Sequence, residues 1–267
     1  MRPRSEVLLD WYRDQSRDLP WRRNADPYRV MVSEVMLQQT QVERVIPRFA
    51  AFVDRFPTVA DLGAASLGDV LDLWHGLGYN SRAKRLRDAA SVVAADGWPT
   101  DIEGLQRLPG IGPYTAAAIG SIVFGHQVPA VDTNLRRVIS RWRGEPLDGA
   151  DLTTAATEEL GTTPAGVWNQ AVMDLGATIC RPRNPRCGEC PVVDGCADPT
   201  VYVPPPRQSR FEGSLRQLRA QVLRELADGP AEMSELIEID LRADEAVSAL
   251  EKDGMVSVDG DRVALAG

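Results

Sequence analysis

Residues 180–196 read CRPRNPRCGECPVVDGC and contain every cysteine of the 267-residue chain. Cys180, Cys187, Cys190 and Cys196 are separated by six, two and five residues. Two thiolates two residues apart grip one metal centre from a single tight turn, and two more close a four-thiolate cage. Four thiolates suit tetrahedral zinc or a 4Fe–4S cluster, and the spacing alone leaves both open. The segment is rich in proline, glycine and arginine, so it reads as a metal-pinned loop.

Upstream of this loop the chain reads as helix, because apolar residues recur at three- and four-residue spacing between capped breaks. Asp26-Pro27 opens a helix that runs to Leu37. Further helices are expected over 46–56, 67–74, 81–95, 116–124, 134–142 and 167–177. Downstream, Pro204-Pro205-Pro206 is a stiff linker. Leu215 to Leu226 and Leu241 to Leu250 mark two more helices. Residues 255–258 and 262–265, joined through Asp259-Gly260-Asp261, read as a β-hairpin, which suggests a small winged-helix-like module.

Hydrophobic content of 43% and charged content of 25% belong to an ordinary folded protein. The net charge of −8 argues against nonspecific coating of nucleic acid. Residues 201–267 carry −5 of that charge, so the helical part is near neutral and able to present a basic face. Charge interrupts Met1–Arg13, no apolar run approaches membrane-spanning length, and grouped thiols suit a reducing compartment. The expectation is a cytoplasmic protein with no membrane partner. Only Lys84 and Lys252 are lysines; arginine supplies the other cations.

Three features carry chemistry. Leu108-Pro109-Gly110-Ile111-Gly112-Pro113-Tyr114 is a Gly-x-Gly turn leading into a helix. Its amides and the helix N-terminus suit an anion such as a DNA phosphate, although Gly-x-Gly also punctuates ordinary turns. Glu34 is the only charged residue between Arg29 and Glu43, in one of the most apolar stretches of the chain. Burial there raises a carboxyl pKa and prepares it to donate a proton, whereas a polar helix stripe leaves it a surface residue. Asp132, in Val128-Pro129-Ala130-Val131-Asp132-Thr133-Asn134, suits a helix N-cap, a role that keeps a carboxylate ionised. One protonated and one ionised carboxyl form the pair that glycosidic cleavage requires. Arg181, Arg183 and Arg186 make the cysteine loop either a phosphate grip or a solvated loop. Arg82, Lys84, Arg85 and Arg87 read as a solvated helix face that attracts DNA at long range.

Together these elements resemble the helix-hairpin-helix, iron–sulfur DNA glycosylases, over about residues 10–198. Within that superfamily the chain is most similar to the MutY-type adenine glycosylases. The residues that carry the similarity are Leu19-Pro20-Trp21-Arg22, Asp26-Pro27-Tyr28, Ser33-Glu34-Val35-Met36-Leu37-Gln38-Gln39-Thr40-Gln41, Leu77-Gly78-Tyr79 and Met173-Asp174-Leu175-Gly176-Ala177. The resemblance implies a mainly α fold: an N-terminal helix over 1–23 packing with the iron–sulfur subdomain, and a six-helix barrel with the hairpin over 24–129. It places the iron–sulfur subdomain at 130–200, a linker at 201–212 and the winged-helix-like module at 213–267. It implies a 4Fe–4S cluster on Cys180, Cys187, Cys190 and Cys196. The implied partner is double-stranded DNA with a mispaired adenine, flipped into a pocket and met by a monomer associated with the nucleoid. By position Glu34 is the acid, Asp132 stabilises the sugar cation and Tyr114 lies beside it. Gln39 and Tyr79 work at the opposing lesion, while Gly110 and Gly112 hold the backbone.

Related strand-nicking enzymes place a lysine where this chain has Tyr114, so a monofunctional hydrolase with little or no lyase activity is expected. Three departures from the family stand out: about sixty residues follow the linker where a large lesion-reading domain is usual, Thr133 replaces a usual glycine, and Asn80 a usual tyrosine. The alternatives are a mismatch thymine or damaged-pyrimidine glycosylase on the same fold, and a non-catalytic metal-bearing DNA-binding regulator.

Overall fold

The computed structural model describes every residue except Met1, Tyr202, Val203, residues 205–209 and Gly267. Helices dominate. In chain order they are α1 (Arg4–Gln15), α2 (Pro27–Leu37), α3 (Val42–Arg55), α4 (Val59–Gly63), α5 (Leu67–Trp74), α6 (Ser81–Asp96) and α7 (Ile102–Arg107). Then follow α8 (Pro113–Val123), α9 (Thr133–Arg143), α10 (Gly149–Leu160), α11 (Ala165–Thr178), α12 (Leu215–Glu225), α13 (Met233–Ile239) and α14 (Ala243–Lys252). The strands are β1 (Ala231–Glu232), β2 (Val256–Asp259) and β3 (Arg262–Leu265). The expected mainly α class is borne out. Five helices were not read from apolar periodicity: α1, expected only from the resemblance, is interrupted by charge, α4, α7 and α13 are too short to show a period, and alanines and threonines dilute the apolar stripe of α10.

The chain divides into two compact units. One comprises Met1–Glu34, Pro99–Arg107 and Ile111–Pro206. Its core gathers Leu8 of α1, Leu135 and Ile139 of α9, and Trp168, Val172 and Leu175 of α11, all fully buried. Two buried polar side chains there are fully matched, although the Trp168 indole N–H and Arg4 Nε have no hydrogen-bond partner among the described residues. Asn169, fully buried, accepts from the Ala130 amide at 2.9 Å and donates to Ser121 Oγ and the Val128 carbonyl. Asp174, also fully buried, receives Arg22 through both carboxylate oxygens at 2.8 and 2.9 Å and Arg17 Nε at 2.8 Å. The two guanidinium groups hold its pKa below the ordinary carboxylate value against the opposing push of burial. This cluster ties the segment before α2 to α11.

The other unit comprises Val35–Trp98, Leu108–Gly110 and Arg207–Gly267. Phe49, Phe52, Phe56 and Trp74 fill its helical core, with Phe52 meeting Phe56 and Trp74 edge-on at ring separations of 5.1 and 6.2 Å. α4 and α6 approach so closely that a Cβ on Gly63 would lie 2.9 Å from the Ser91 Cα, which is why glycine stands there. The C-terminal part has winged-helix topology: α12, β1, α13, α14, then the β2–β3 hairpin, in an antiparallel sheet of order β1-β3-β2. Its core is Leu218, Val222, Leu236, Val247, Leu250 and Val263. The expected linker lies largely outside the described residues.

One side of the basic run of α6 differs from expectation. Arg82 and Arg87 are buried, at 8% and 9% exposure, so the run is not a uniformly solvated face. Removing the charge at Asp174 strands two guanidinium groups, so Asp174→Asn should destabilise the protein by roughly 3–5 kcal/mol. Chemical or thermal denaturation of the iron-loaded protein checks this; a change below about 1 kcal/mol would contradict the role assigned to the cluster.

Candidate active site

α2 is apolar on every side around Glu34: Met31, Val32, Val35 and Met36 are buried, and so is Ser33, whose hydroxyl donates to the Val30 carbonyl. Glu34 itself is 6% exposed. Desolvation disfavours the carboxylate, so its pKa rises to about 7, with the nearby Asp132 charge pushing the same way. A hydrogen bond from the Tyr114 hydroxyl to Glu34 Oε2, 2.7 Å long, and the field of Arg22 oppose that rise. Burial and the two carboxyl groups raise the Tyr114 pKa well above its ordinary value, so the phenol stays neutral and acts as a donor.

Asp132 caps α9. Its Oδ1 accepts from the Leu135 amide at 2.6 Å and its Oδ2 from Asn134 Nδ2 at 2.8 Å. Burial raises its pKa, and those hydrogen bonds together with Arg137 pull it back. Both carboxyls are therefore strongly desolvated, Asp132 is the one held by capping bonds, its charge raises Glu34, and Tyr114 is joined to Glu34. Arg22, anchored on Asp174, also acts on Glu34 through its charge. Its part could not be read from the sequence, because its partner lies 152 residues away.

The Gly-x-Gly turn joins α7 to α8. Gly110 has φ +75°, in the left-handed region, and a Cβ there would lie 2.7 Å from the Arg85 Cβ. Gly112 is extended at the N-cap of α8, followed by Pro113 at the first helical position. Gln39 and Tyr79 share a property that sequence reading does not show: both are non-glycine residues with positive φ, +56° and +49°. Such backbone conformations concentrate at functional sites. The Tyr79 ring lies under Arg82 and Arg216, each 5.7 Å from its centroid, and its hydroxyl accepts from Arg216 at 2.8 Å.

The four cysteines are free and line one cavity of about 90 Å³ with Arg141, Trp142, Leu175 and Ile179. Burial, followed by mutual repulsion among the thiols, pushes Cys190 up to about 11, and Cys196 shifts the same way. A cationic centre is what makes four thiolates stable there. Among the described residues no three donor side chains converge on a single metal ion. The thiols ring a cavity instead, so the donor set fits a cluster that spans it. When bound, such a cluster supplies a rigid anchor for the loop.

Arginines brace the loop. Arg141 donates to Cys180 Sγ at 3.1 Å and to the Arg181 carbonyl at 2.9 Å, and Arg137 donates to the Cys180 carbonyl at 2.8 Å. Of the three loop arginines, Arg181 and Arg183 are exposed, while Arg186 is engaged with Glu189.

Residues 32–162 match the HhH-GPD superfamily of base excision DNA repair proteins, and residues 180–196 match the iron–sulfur binding domain of endonuclease III. The chain is 40% identical to an adenine DNA glycosylase of Mycolicibacterium smegmatis over 97% of its own length and 95% of the relative's. That span takes in most of the winged-helix module, so the short C-terminal region is common to both. Against the human adenine DNA glycosylase it is 44% identical, over 71% of this chain and 38% of the human one. Among solved structures, a thermostable thymine-DNA glycosylase superposes with a TM-score of 0.67 at 29% identity, covering 72% of this chain and 93% of that one.

Two expectations follow from the geometry. The unfolded chain loses the Glu34 proton near 4.5 and the folded chain near 7, so stability falls as pH rises between those values and the cost is complete above them. Glu34→Gln removes that cost and keeps an acceptor for Tyr114. The variant should gain on wild type by roughly 3 kcal/mol between about pH 4 and pH 8, read as a growing Tm difference; a difference independent of pH would contradict the raised pKa. Cys190→Ala should lower bound iron and visible absorbance and leave the residual protein less stable. Full iron content in that variant would show that the cavity does not hold the cluster.

Proposed function

The chain belongs to the adenine DNA glycosylases of the HhH-GPD superfamily and removes adenine from DNA in base excision repair, and from that premise we propose that its substrate is adenine opposite 8-oxoguanine or guanine in duplex DNA, cleaved by water alone. The Glu34 carboxyl bonded to Tyr114 carries this reading.

A carboxyl with a pKa of about 7 is protonated in a large share of molecules at neutral pH. It donates its proton to the adenine ring, and the C–N glycosidic bond then breaks with the electron pair leaving on the base. Purine departure gains most from such protonation. The sugar is left as a cation, which the Asp132 carboxylate stabilises while water adds and gives its proton to the now ionised Glu34. Capping hydrogen bonds from Leu135 and Asn134 favour the ionised form that this role needs. Tyr114 holds Glu34 in place and stays neutral. It has no amine with which to attack the sugar, so little or no Schiff base forms and strand nicking is weak or absent.

In the proposed complex the flipped adenine is served by the Glu34 unit, while Gln39 and Tyr79 occupy the stack beside the opposing base. Gly110 and Gly112 receive backbone phosphate, and the exposed Arg181 and Arg183 add charge from the cysteine loop. The protein acts as a monomer.

Single-turnover excision tests this. Duplexes with A opposite 8-oxoguanine or G should lose adenine, while T opposite G is untouched; excision of thymine would overturn the substrate assignment. Glu34→Gln should slow excision by at least about a hundredfold with duplex binding retained. The rate should be highest below the Glu34 pKa and fall as pH rises through about 7, where the acid form is lost. Borohydride should trap little covalent complex; trapping in good yield would contradict the monofunctional assignment.

A further inference from the structure

Arg82 stands in the first turn of α6, and its guanidinium is buried where two loops meet. Nη1 donates to the carbonyls of Val35, Met36 and Gln38 at 2.8, 3.1 and 2.6 Å. Nη2 donates to the carbonyls of Leu77 and Gly78, each at 3.0 Å, and to Thr40 Oγ1 at 3.1 Å. One side chain thus meets six acceptors. Val35 and Met36 are among the last residues of α2, whose terminal carbonyls have no partner within the helix, so the cation also caps the negative end of that helix. Burial pushes the Arg82 pKa down to about 10, which still leaves it cationic at neutral pH.

The bonded positions flank two residues. Gln39 lies between Gln38 and Thr40, and Tyr79 follows Leu77 and Gly78. Both hold left-handed backbone, at φ +56° and +49°, a conformation that is strained for a non-glycine residue. Arg82 also lies 5.7 Å from the Tyr79 ring centroid and 5.3 Å from that of Trp74, whose indole N–H donates to the Gly78 carbonyl at 3.1 Å. Both strained residues are therefore held by carbonyls that converge on a single guanidinium.

The geometry points to Arg82 as the positioning residue that sets Gln39 and Tyr79 together as one reading head for the base opposite the excised adenine. The inference rests on the proposed placement of those two side chains at the DNA. Arg82 touches neither the adenine nor the Glu34 chemistry. Lysine cannot replace it, because an ammonium is a point charge with three donors and cannot span both loops as a planar fork does.

The test uses iron-loaded, full-length Arg82→Lys and Arg82→Gln, compared with Gln39→Ala/Tyr79→Ala. Arg82→Lys should raise the enzyme concentration needed for half-maximal single-turnover excision from an A opposite 8-oxoguanine duplex by roughly ten- to a hundredfold. The pH midpoint of the saturated rate, set by Glu34, should not move. Amide hydrogen exchange should quicken at 38–41 and 76–80 and stay unchanged in α8 and α11. Placed in the Gln39→Ala/Tyr79→Ala background, Arg82→Lys should add less than about twofold, because its effect passes through those residues. Wild-type affinity in Arg82→Lys, alongside a clear loss in Gln39→Ala/Tyr79→Ala, overturns the positioning role alone. Full affinity in Gln39→Ala/Tyr79→Ala removes those side chains from the DNA and takes the proposal with it. A fully additive loss with a shifted pH midpoint marks a general structural defect, as does failure of both Arg82 variants to accumulate as iron-loaded protein; either result overturns the proposal.

Discussion

A guanidinium buried among backbone carbonyls holds this helical chain at two places where it leaves regular structure. A helix satisfies its own peptide groups, but its last carbonyls and the loops beyond them need outside donors. Arg82 supplies them to the loops at 38–40 and 77–78, and Arg137 and Arg141 supply them beneath Cys180. Arg17 and Arg22 do the equivalent for a buried carboxylate at Asp174. A planar fork with five N–H groups can serve several fixed acceptors, and it keeps its charge when desolvated. The near absence of lysine thus has a structural side as well as a mechanistic one: many of the cations have posts in the interior that an ammonium would fill poorly.

The proposed catalytic unit shares this bracing. Glu34 gains its raised pKa from an apolar helix, and a carboxyl in that position stays useful only if its orientation is fixed. Tyr114 provides the hydrogen bond, and the Asp174-anchored Arg22 tempers the field. Asp132 shares the neighbourhood and feels the same burial, yet its capping bonds to α9 pull the other way. Two carboxyls of similar intrinsic acidity meet different surroundings, capping bonds opposing burial at Asp132 and a tyrosine hydroxyl opposing it at Glu34, as the proposed division into acid and anion requires.

Much of this was legible in the chain itself. The cysteine spacing announced a metal loop, while the apolar run around Glu34 left a buried acid and a surface glutamate both open until the family resemblance favoured the acid. Apolar periodicity located most of the long helices, and the C-terminal hairpin and its helices pointed to a winged-helix module. The errors have a common origin. Short helices such as α4 and α7 are stabilised by caps and tertiary packing over too few residues to show a period. Arg82 was read as part of a solvated stripe because its charge suggested water, and nothing local announces that carbonyls from residues 35–38 and 77–78 converge on it. Arg22 and Asp174 are invisible as a pair for the same reason.

The sequence by itself determined residue chemistry and local periodicity: which side chains can bind iron, which can donate a proton, and that tyrosine rather than lysine stands at position 114. Those properties belong to single residues or to neighbours a few positions apart. The tertiary structure alone decided which groups lose their water and which partners they meet there. Desolvation and long-range hydrogen bonding depend on segments distant in the chain, and they separate the acid at Glu34 from the capped carboxylate at Asp132 and turn Arg82 from a surface charge into the pin of two strained loops.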